Sequence, residues 1–295
     1  MVLPGSFGLA DLASTLLTNG PRKALPVSSP RRVRVLLNSS FIIDSTSAIL
    51  VWEHDAYPHY YFPLSELRHC TFRDKRAIKA DGVNRAAVVE ITVPGKNGQK
   101  DRRTERALRF TNDRSLGALS GLLRLEFGSM DQWLDEDLPI HVHPKDPFKR
   151  IDVLPSLRAL EIRIFGHPIA RSTFSMHLHE TGLPTRFYIP FSAILDQSIL
   201  RGSARTTSCP YKGTAEYFHA VIENNSSKTS IVTDGETGEV TVVGKGEVFR
   251  DIAWSYRVTT AESGGVAGLV AFHQERADVD VILDGEVLER PRMLT

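Results

Sequence analysis

Cysteine is scarce in this chain, with two in 295 residues. Cys70 and Cys209 stand alone, and no C-x-x-C pair occurs, so neither a disulfide framework nor a cysteine-bound zinc is expected. Long apolar runs are absent too: nothing approaches the roughly 18 residues of a membrane span. The first twenty residues, MVLPGSFGLADLASTLLTNG, lack the basic start and continuous apolar stretch of a secretory signal. The expected location is therefore the cytoplasm, with both thiols reduced. An excess of either charge is lacking as well. Lys and Arg total 36 against 35 Asp and Glu, a net charge of +1, which argues against nucleic acid or an anionic membrane as the main partner. Neither phosphate-loop pattern, G-x-x-x-x-G-K-S/T or G-x-G-x-x-G, is present, and there is no G-x-S-x-G elbow. Kinase, dehydrogenase and serine-hydrolase chemistry lose their usual signatures. What remains is a non-enzyme, or an enzyme whose chemistry needs no strong acid, base or cofactor.

What the chain does have is a long repeat. VRVLLNSSFIIDSTSAILVWEHDAYPHYYFPLSEL (Val33–Leu67) aligns without a gap on LEIRIFGHPIARSTFSMHLHETGLPTRFYIPFSAI (Leu160–Ile194), 127 residues later. Glu53 then falls on Glu180, Tyr61 on Tyr188, Pro63 on Pro190 and Ser65 on Ser192. A period this long predicts a duplicated domain and not a solenoid. The expected division is an N-terminal helix and linker over 1–30, a first β repeat over 31–155 and a second over 156–295.

Apolar residues alternate at Val33, Val35 and Leu37, at Leu160, Ile162 and Ile164, and at Val279, Val281 and Leu283, the pattern of strands buried on one face. Asp234-Gly235-Glu236-Thr237-Gly238 predicts a hairpin turn. Leu9, Leu12 and Leu16 predict a short helix ended by Gly20, and further helices are expected over Ser115–Leu125 and Ser129–Asp135. Arg73–Arg109 reads as a charged, loop-like stretch, with GKNGQKDRR as a solvated tip. The fold class is mainly β in two related halves. The second half alone carries CPYKG (209–213) and an insertion around 226–247, so it is the better candidate for a pocket.

VWEHDAYPHYYFP, GLLRLEFGSMDQWLDEDLPIHVHPKDPFKRIDVLPS, ETGLPTRFYIP, TSCPYKGTAEYF, DIAWSY and AGLVAFHQERADVDVILDGEVLERPR carry a resemblance. Over about 32–292 the chain resembles the two-copy form of the family called domain of unknown function 427. That resemblance implies tandem β-tent, Mss4-like half-barrels of antiparallel strands. It also brings a nucleotidyltransferase label, which would require Mg²⁺ and nucleotide. The chain departs from the family pattern at Phe191-Ser192-Ala193-Ile194, where charged residues are usual, and at Met176-His177-Leu178-His179, where aliphatics are. These departures suggest a paralogue recruited to specialised metabolism, with an altered pocket, and the resemblance implies a fungal one.

The candidate site follows from the second repeat. Pro210 and Gly213 predict a tight turn holding Tyr211 and Lys212 over a cavity, where with Arg186 they would donate to a substrate carbonyl. Phe187, Tyr188, Trp254 and Tyr256, with His179, Cys209 and Phe272, would line it. His141/His143 and His177/His179 are spaced to share strand faces, but each pair needs a third ligand, so no metal is expected. Asp278, Asp280 and Asp284 read as a solvated strand face, and in the nucleotidyltransferase alternative as Mg²⁺ ligands. Glu53 and Glu180, present in both repeats, suit a structural role. The function expected is a cofactor-free cyclase of the pericyclase kind, shaping a flexible terpenoid or polyketide; a non-catalytic small-molecule binder is the alternative. The partner expected is an apolar small molecule, and the oligomeric state is left open.

Overall fold

The computed structural model describes residues 8–222, 229–233, 240–245 and 247–291. The chain divides after Asp146 into two units, and both are built of antiparallel strands.

The first unit opens with helix α1 (Leu9–Asn19), whose Leu9, Ala10, Ala13 and Leu16 are buried along one face. Its strands are β1 (Lys23–Pro26), β2 (Val33–Leu37), β3 (Ser40–Ser45), β4 (Ile49–Trp52), β5 (His59–Pro63), β6 (Thr71–Ala80), β7 (Val83–Val93), β8 (Arg102–Phe110), β9 (Leu122–Leu125), β10 (Gln132–Asp135) and β11 (Leu138–Ile140). They form a seven-stranded sheet in the order β1-β4-β5-β9-β8-β7-β6 and a four-stranded sheet in the order β11-β10-β2-β3. Val33, Val35, Leu37, Ile43 and Trp133 of the small sheet pack on Tyr60, Phe62, Val89, Ile91 and Leu123 of the large one. On the large sheet's other face, Ala10, Ala13 and Leu16 of α1 cover Val51, Tyr61, Ala86, Leu108 and Phe110. Each large apolar side chain so covered contributes about 1.5–3 kcal/mol.

The second unit contains β12 (Ile151–Ser156), β13 (Leu160–Ile164), β14 (His167–Ser172), β15 (Ser175–Glu180), β16 (Arg186–Tyr188), β17 (Leu200–Cys209), β18 (Gly213–Ile222), β19 (Thr229–Thr233), β20 (Val240–Lys245), β21 (Glu247–Tyr256), β22 (Val270–Phe272), β23 (Val279–Leu283) and β24 (Glu286–Val287). Its sheets run β12-β15-β16, β17-β18-β21-β22 and β14-β13-β23-β24, with β19-β20 as a separate hairpin. A single bridge, Ile189 to Val270, joins β16 to β22. Joined through that bridge, β12-β15-β16-β22-β21-β18-β17 follows the seven-stranded order of the first unit, β24-β23-β13-β14 follows its four-stranded order, and β19-β20 is the extra piece. Leu160, Ile162, Ile164, Val279 and Val281 pack against Phe249, Ala253, Val270 and Phe272.

Several expectations are corrected. Ser115–Leu125 is not an α-helix: a short 3-10 segment, Arg114–Leu119, gives way to β9. The Leu116, Leu119, Leu122 spacing suits a helix, but Gly117 and Gly121 take φ of 55° and 72° and break it. Ser129–Asp135 ends in β10, which pairs with β2. Arg73–Arg109 is no loop but three long paired strands, β6, β7 and β8, broken by the turn at Asp81-Gly82 and the tip between Val93 and Arg102, with register shifts in both pairings. Within 1–30, β1 pairs with β4 and belongs to the sheet. Likewise β12, placed with the first repeat by sequence, pairs with β15 of the second unit. The 234–238 turn lies outside the described residues, although β19 and β20 on either side of it do pair. No helix among the described residues is long and apolar enough to cross a membrane.

Candidate functional site

The CPYKG segment is the tight turn that proline and glycine predict, linking β17 to β18. It is drawn into the second unit, not held over open space. Tyr211 is buried, and its carbonyl accepts hydrogen bonds from Ser263 Oγ at 3.0 Å and from Thr260 Oγ1. Lys212 Nζ makes an ion pair with the buried Glu180, and Lys149 Nζ stands 3.6 Å from the same carboxylate. Gly213 closes the turn at φ +99°, and a Cβ there would sit 2.6 Å from the Val258 carbonyl oxygen. Gly213→Ala is therefore expected to cost about 1–3 kcal/mol in a urea unfolding measurement; a loss below about 0.5 kcal/mol would mean the turn yields freely.

Tyr188, Tyr217, Trp254 and Tyr256 form one buried cluster with Leu178, Ala215, Val266 and Ala271. Trp254 Nε1 donates to Tyr188 Oη at 3.1 Å. Burial pushes the Tyr188 and Tyr256 hydroxyls well above the usual phenol range, so both are neutral donors or acceptors. Arg186 lies with its guanidinium 5.5 Å from the Trp254 ring centre, and it clamps Glu275 through bonds of 2.6 and 3.2 Å. His273 Nδ1 is 3.0 Å from the same carboxylate. The His273 ring is 4.5 Å from Trp254 and lies parallel to Tyr217 at 6.1 Å. Burial opposes the Glu275 charge, but the hydrogen bonds from His273 and Arg186 outweigh it and hold the carboxyl well below its usual range.

The structure therefore gathers Tyr188, Trp254 and Tyr256 with Arg186 at their edge, while Lys212 pairs with Glu180 and Tyr211 is held through its carbonyl by Thr260 and Ser263. The other predicted residues lie elsewhere. Phe187 and Phe272 belong to the inner core on the opposite face of the strands. His179 is exposed, its Nδ1 3.0 Å from Thr185 Oγ1, and Cys209 is a half-buried free thiol. Sequence reasoning missed His273, Glu275 and Tyr217. The first two form a short His-x-Glu motif directly after β22, a signal that was open to reading.

A cavity of about 300 Å³ opens beside Phe187, walled by Pro184, Val279, Val281 and Leu288 with Thr185 and Gln274 among its polar members. Asp278, Asp280 and Asp284 do not converge: they pair separately with Arg276, Arg290 and Arg158. Among the described residues no three His, Cys, Asp or Glu side chains come together as a metal-ligand set; His177 Nε2 instead bonds Ser175 Oγ at 3.0 Å.

The family model described as "Domain of unknown function (DUF427)" matches residues 26–136, 152–234 and 227–285. The chain belongs to this family. Its matched segments fall in both units, and no curated protein matches the chain.

The first unit of this DUF427 chain has its own buried polar group. Glu53 accepts from Arg124 Nε at 2.6 Å, Arg124 Nη2 at 3.2 Å and Tyr61 Oη at 3.0 Å. Its side chain is 5% exposed and that of Arg124 7%. Burial opposes the Glu53 charge, yet the cationic neighbours keep it below the usual carboxylate range. His59 Nε2 is 3.5 Å from Glu53, and burial pushes His59 down to about 4, so the imidazole is neutral at pH 7. Each of the two glutamates that the sequence alignment superposes is thus buried beside a cation. The cation differs: Arg124 from β9 in the first unit, Lys212 from the CPYKG turn in the second.

Proposed function

We propose that this DUF427 chain is a cofactor-free cyclase of the pericyclase kind, acting in the second unit on a flexible apolar small molecule. We further propose that its units are two copies of a β-tent half-barrel, the second specialised for this task in fungal secondary metabolism in the cytoplasm. The observation that carries the reading is the cavity of about 300 Å³ beside Phe187, where Val279, Val281 and Leu288 meet the polar Thr185, Gln274, Glu289 and Arg290. That size and lining suit a compact ligand. A pericyclic closure asks only that the substrate be held in its reactive fold. Orientation supplies several kcal/mol, and each ~1.4 kcal/mol is tenfold in rate. Thr185 and Gln274 are the nearer candidates to meet a substrate oxygen. Arg186 and Lys212 are neutralised by Glu275 and Glu180, so in this reading they brace the aromatic cluster.

That same neutralisation favours a second reading, a binder without turnover. A Mg²⁺-dependent nucleotidyltransferase is disfavoured by the separate arginine partners of Asp278, Asp280 and Asp284. The test is to incubate the purified full chain with polyene and terpenoid aldehydes, without metal or nucleotide. A product ratio shifted from the uncatalysed one is expected, and Phe187→Trp, which fills the cavity, should abolish the shift. Identical ratios with and without protein would overturn the cyclase, and substrate recovered bound but unchanged would establish the binder.

A further inference from the structure

The His273–Glu275–Arg186 arrangement has the construction of a proton-transfer site. The Glu275 carboxylate lies 3.0 Å from Nδ1; a carboxylate only accepts, so Nδ1 carries a proton there and Nε2 is the nitrogen left for a substrate. Among the described residues Nε2 has no hydrogen-bond partner, and the side chain is one-quarter exposed. Glu275 cannot swing away, since Arg186 grips both its oxygens. The ring is fixed against Trp254 and Tyr217. A carboxylate that fixes the tautomer and stabilises the imidazolium is the device by which histidine becomes an effective base.

The scaffold does not need this device. Pairing registers place Glu126 of the first unit at the position of His273, with Leu108 at that of Trp254 and Val88 at that of Tyr217. By the same registers, counting on from β9 and β22, Gly128 stands for Glu275, and His59 stands for Arg186. The same strands pair there without a dyad. A feature that one unit carries and the other folds without is a candidate for function in its own right.

We propose that His273 is a general base acting on a small carbonyl compound that has an acidic α-proton. This rests on the reading that the second unit handles a small molecule, and it is a separate step, since His273, Glu275 and Arg186 do not line the cavity beside Phe187. Nε2 takes the α-proton. The C–H electron pair becomes the C=C bond of an enolate as the carbonyl π pair moves onto oxygen. The imidazolium, held by Glu275, returns the proton to that oxygen. The product is the enol, His273 is regenerated, and no co-reactant is consumed. Glu275 is a positioning residue in this scheme, and Arg186 positions Glu275.

The test is deuterium wash-in at the α-carbon, followed by proton NMR. The full chain in D₂O is given a simple enolisable ketone and a saturated aldehyde with α-protons as probes. Exchange above the buffer rate is expected. His273→Ala should lower it about 10²–10⁴-fold with the melting temperature little changed, and added free imidazole should restore part of the loss. Glu275→Gln should also lower it, while Glu275→Asp retains part. Wild-type exchange at the buffer rate, or undiminished exchange in His273→Ala, would overturn the proposal. Closure of a preformed polyene is assayed separately, so a chain that closes the polyene but exchanges no α-proton removes this step and leaves the cyclase standing.

Discussion

Replacing Arg124 with methionine is expected to cost the first unit about 3–5 kcal/mol, read by urea unfolding at pH 7 with Trp52 and Trp133 as reporters. The cause is what stays behind. Glu53 is 5% exposed, and without the guanidinium its charge has only the Tyr61 hydroxyl and the neutral His59 nearby. One neutral hydrogen bond, at about 0.5–1.5 kcal/mol, does not offset a buried carboxylate. Removing both charges in Glu53→Gln with Arg124→Met should recover part of the loss, since the uncompensated buried charge is the costly element. The pH dependence separates the two forms. In the wild type the folded carboxyl lies below its unfolded value, so its stabilisation is fully present above the unfolded pKa and is lost as pH falls through the folded one. In Arg124→Met burial acts unopposed and raises the Glu53 pKa above the unfolded value, so acidification towards about pH 5 should narrow the deficit. A deficit under about 1 kcal/mol, or one that the double variant does not reduce, would show that the pair is not a buried one.

A second large loss is expected at Trp254. Trp254→Ala should cost about 3–5 kcal/mol, the range for deleting a large buried aromatic. The indole packs with Tyr188, Tyr217 and Tyr256, and its Nε1 is the donor to the buried Tyr188 hydroxyl. The same substitution removes the surface under Arg186 and beside His273. Tyr188→Phe, which deletes the hydrogen bond and keeps the packing, should cost only about 1–1.5 kcal/mol. If the two variants lost equal stability in urea, packing around the indole would not be what holds this face together.

The strands that were legible in the sequence are those buried on one side only. Val33, Val35 and Leu37 alternate with half-buried Arg34 and Leu36, and Leu160–Ile164 repeats the pattern; alternation is what one-sided burial writes into a chain. The long hairpin strands carry no such record. β6 is exposed at all but two of its ten positions and β17 has no fully buried residue, so charge dominates and the segment looks like a loop. Its order comes from cross-strand partners distant in sequence, such as Arg73 with Glu90 and Arg109 with Asp74. The candidate site was half legible for a related reason. Tyr188, Trp254 and Tyr256 announce themselves as aromatics. That Trp254 pairs with Tyr217, and that Arg186 and His273 meet on one carboxylate 89 and 2 residues away, depends on strand register, which composition does not encode. Phe187 and Tyr188 show the same limit: adjacent in sequence, they face opposite sides of the sheet.

Helix α1 leaves the ribosome roughly a hundred residues before its seat exists. Residues 10–16 are covered by side chains as late as Leu119 and Leu122, and at a synthesis rate of about 5–20 residues per second the wait lasts several seconds. During that interval its greasy stripe has nowhere of its own to go, so a nascent chain stalled before β9 should attract chaperones at α1, and one stalled after β9 should not.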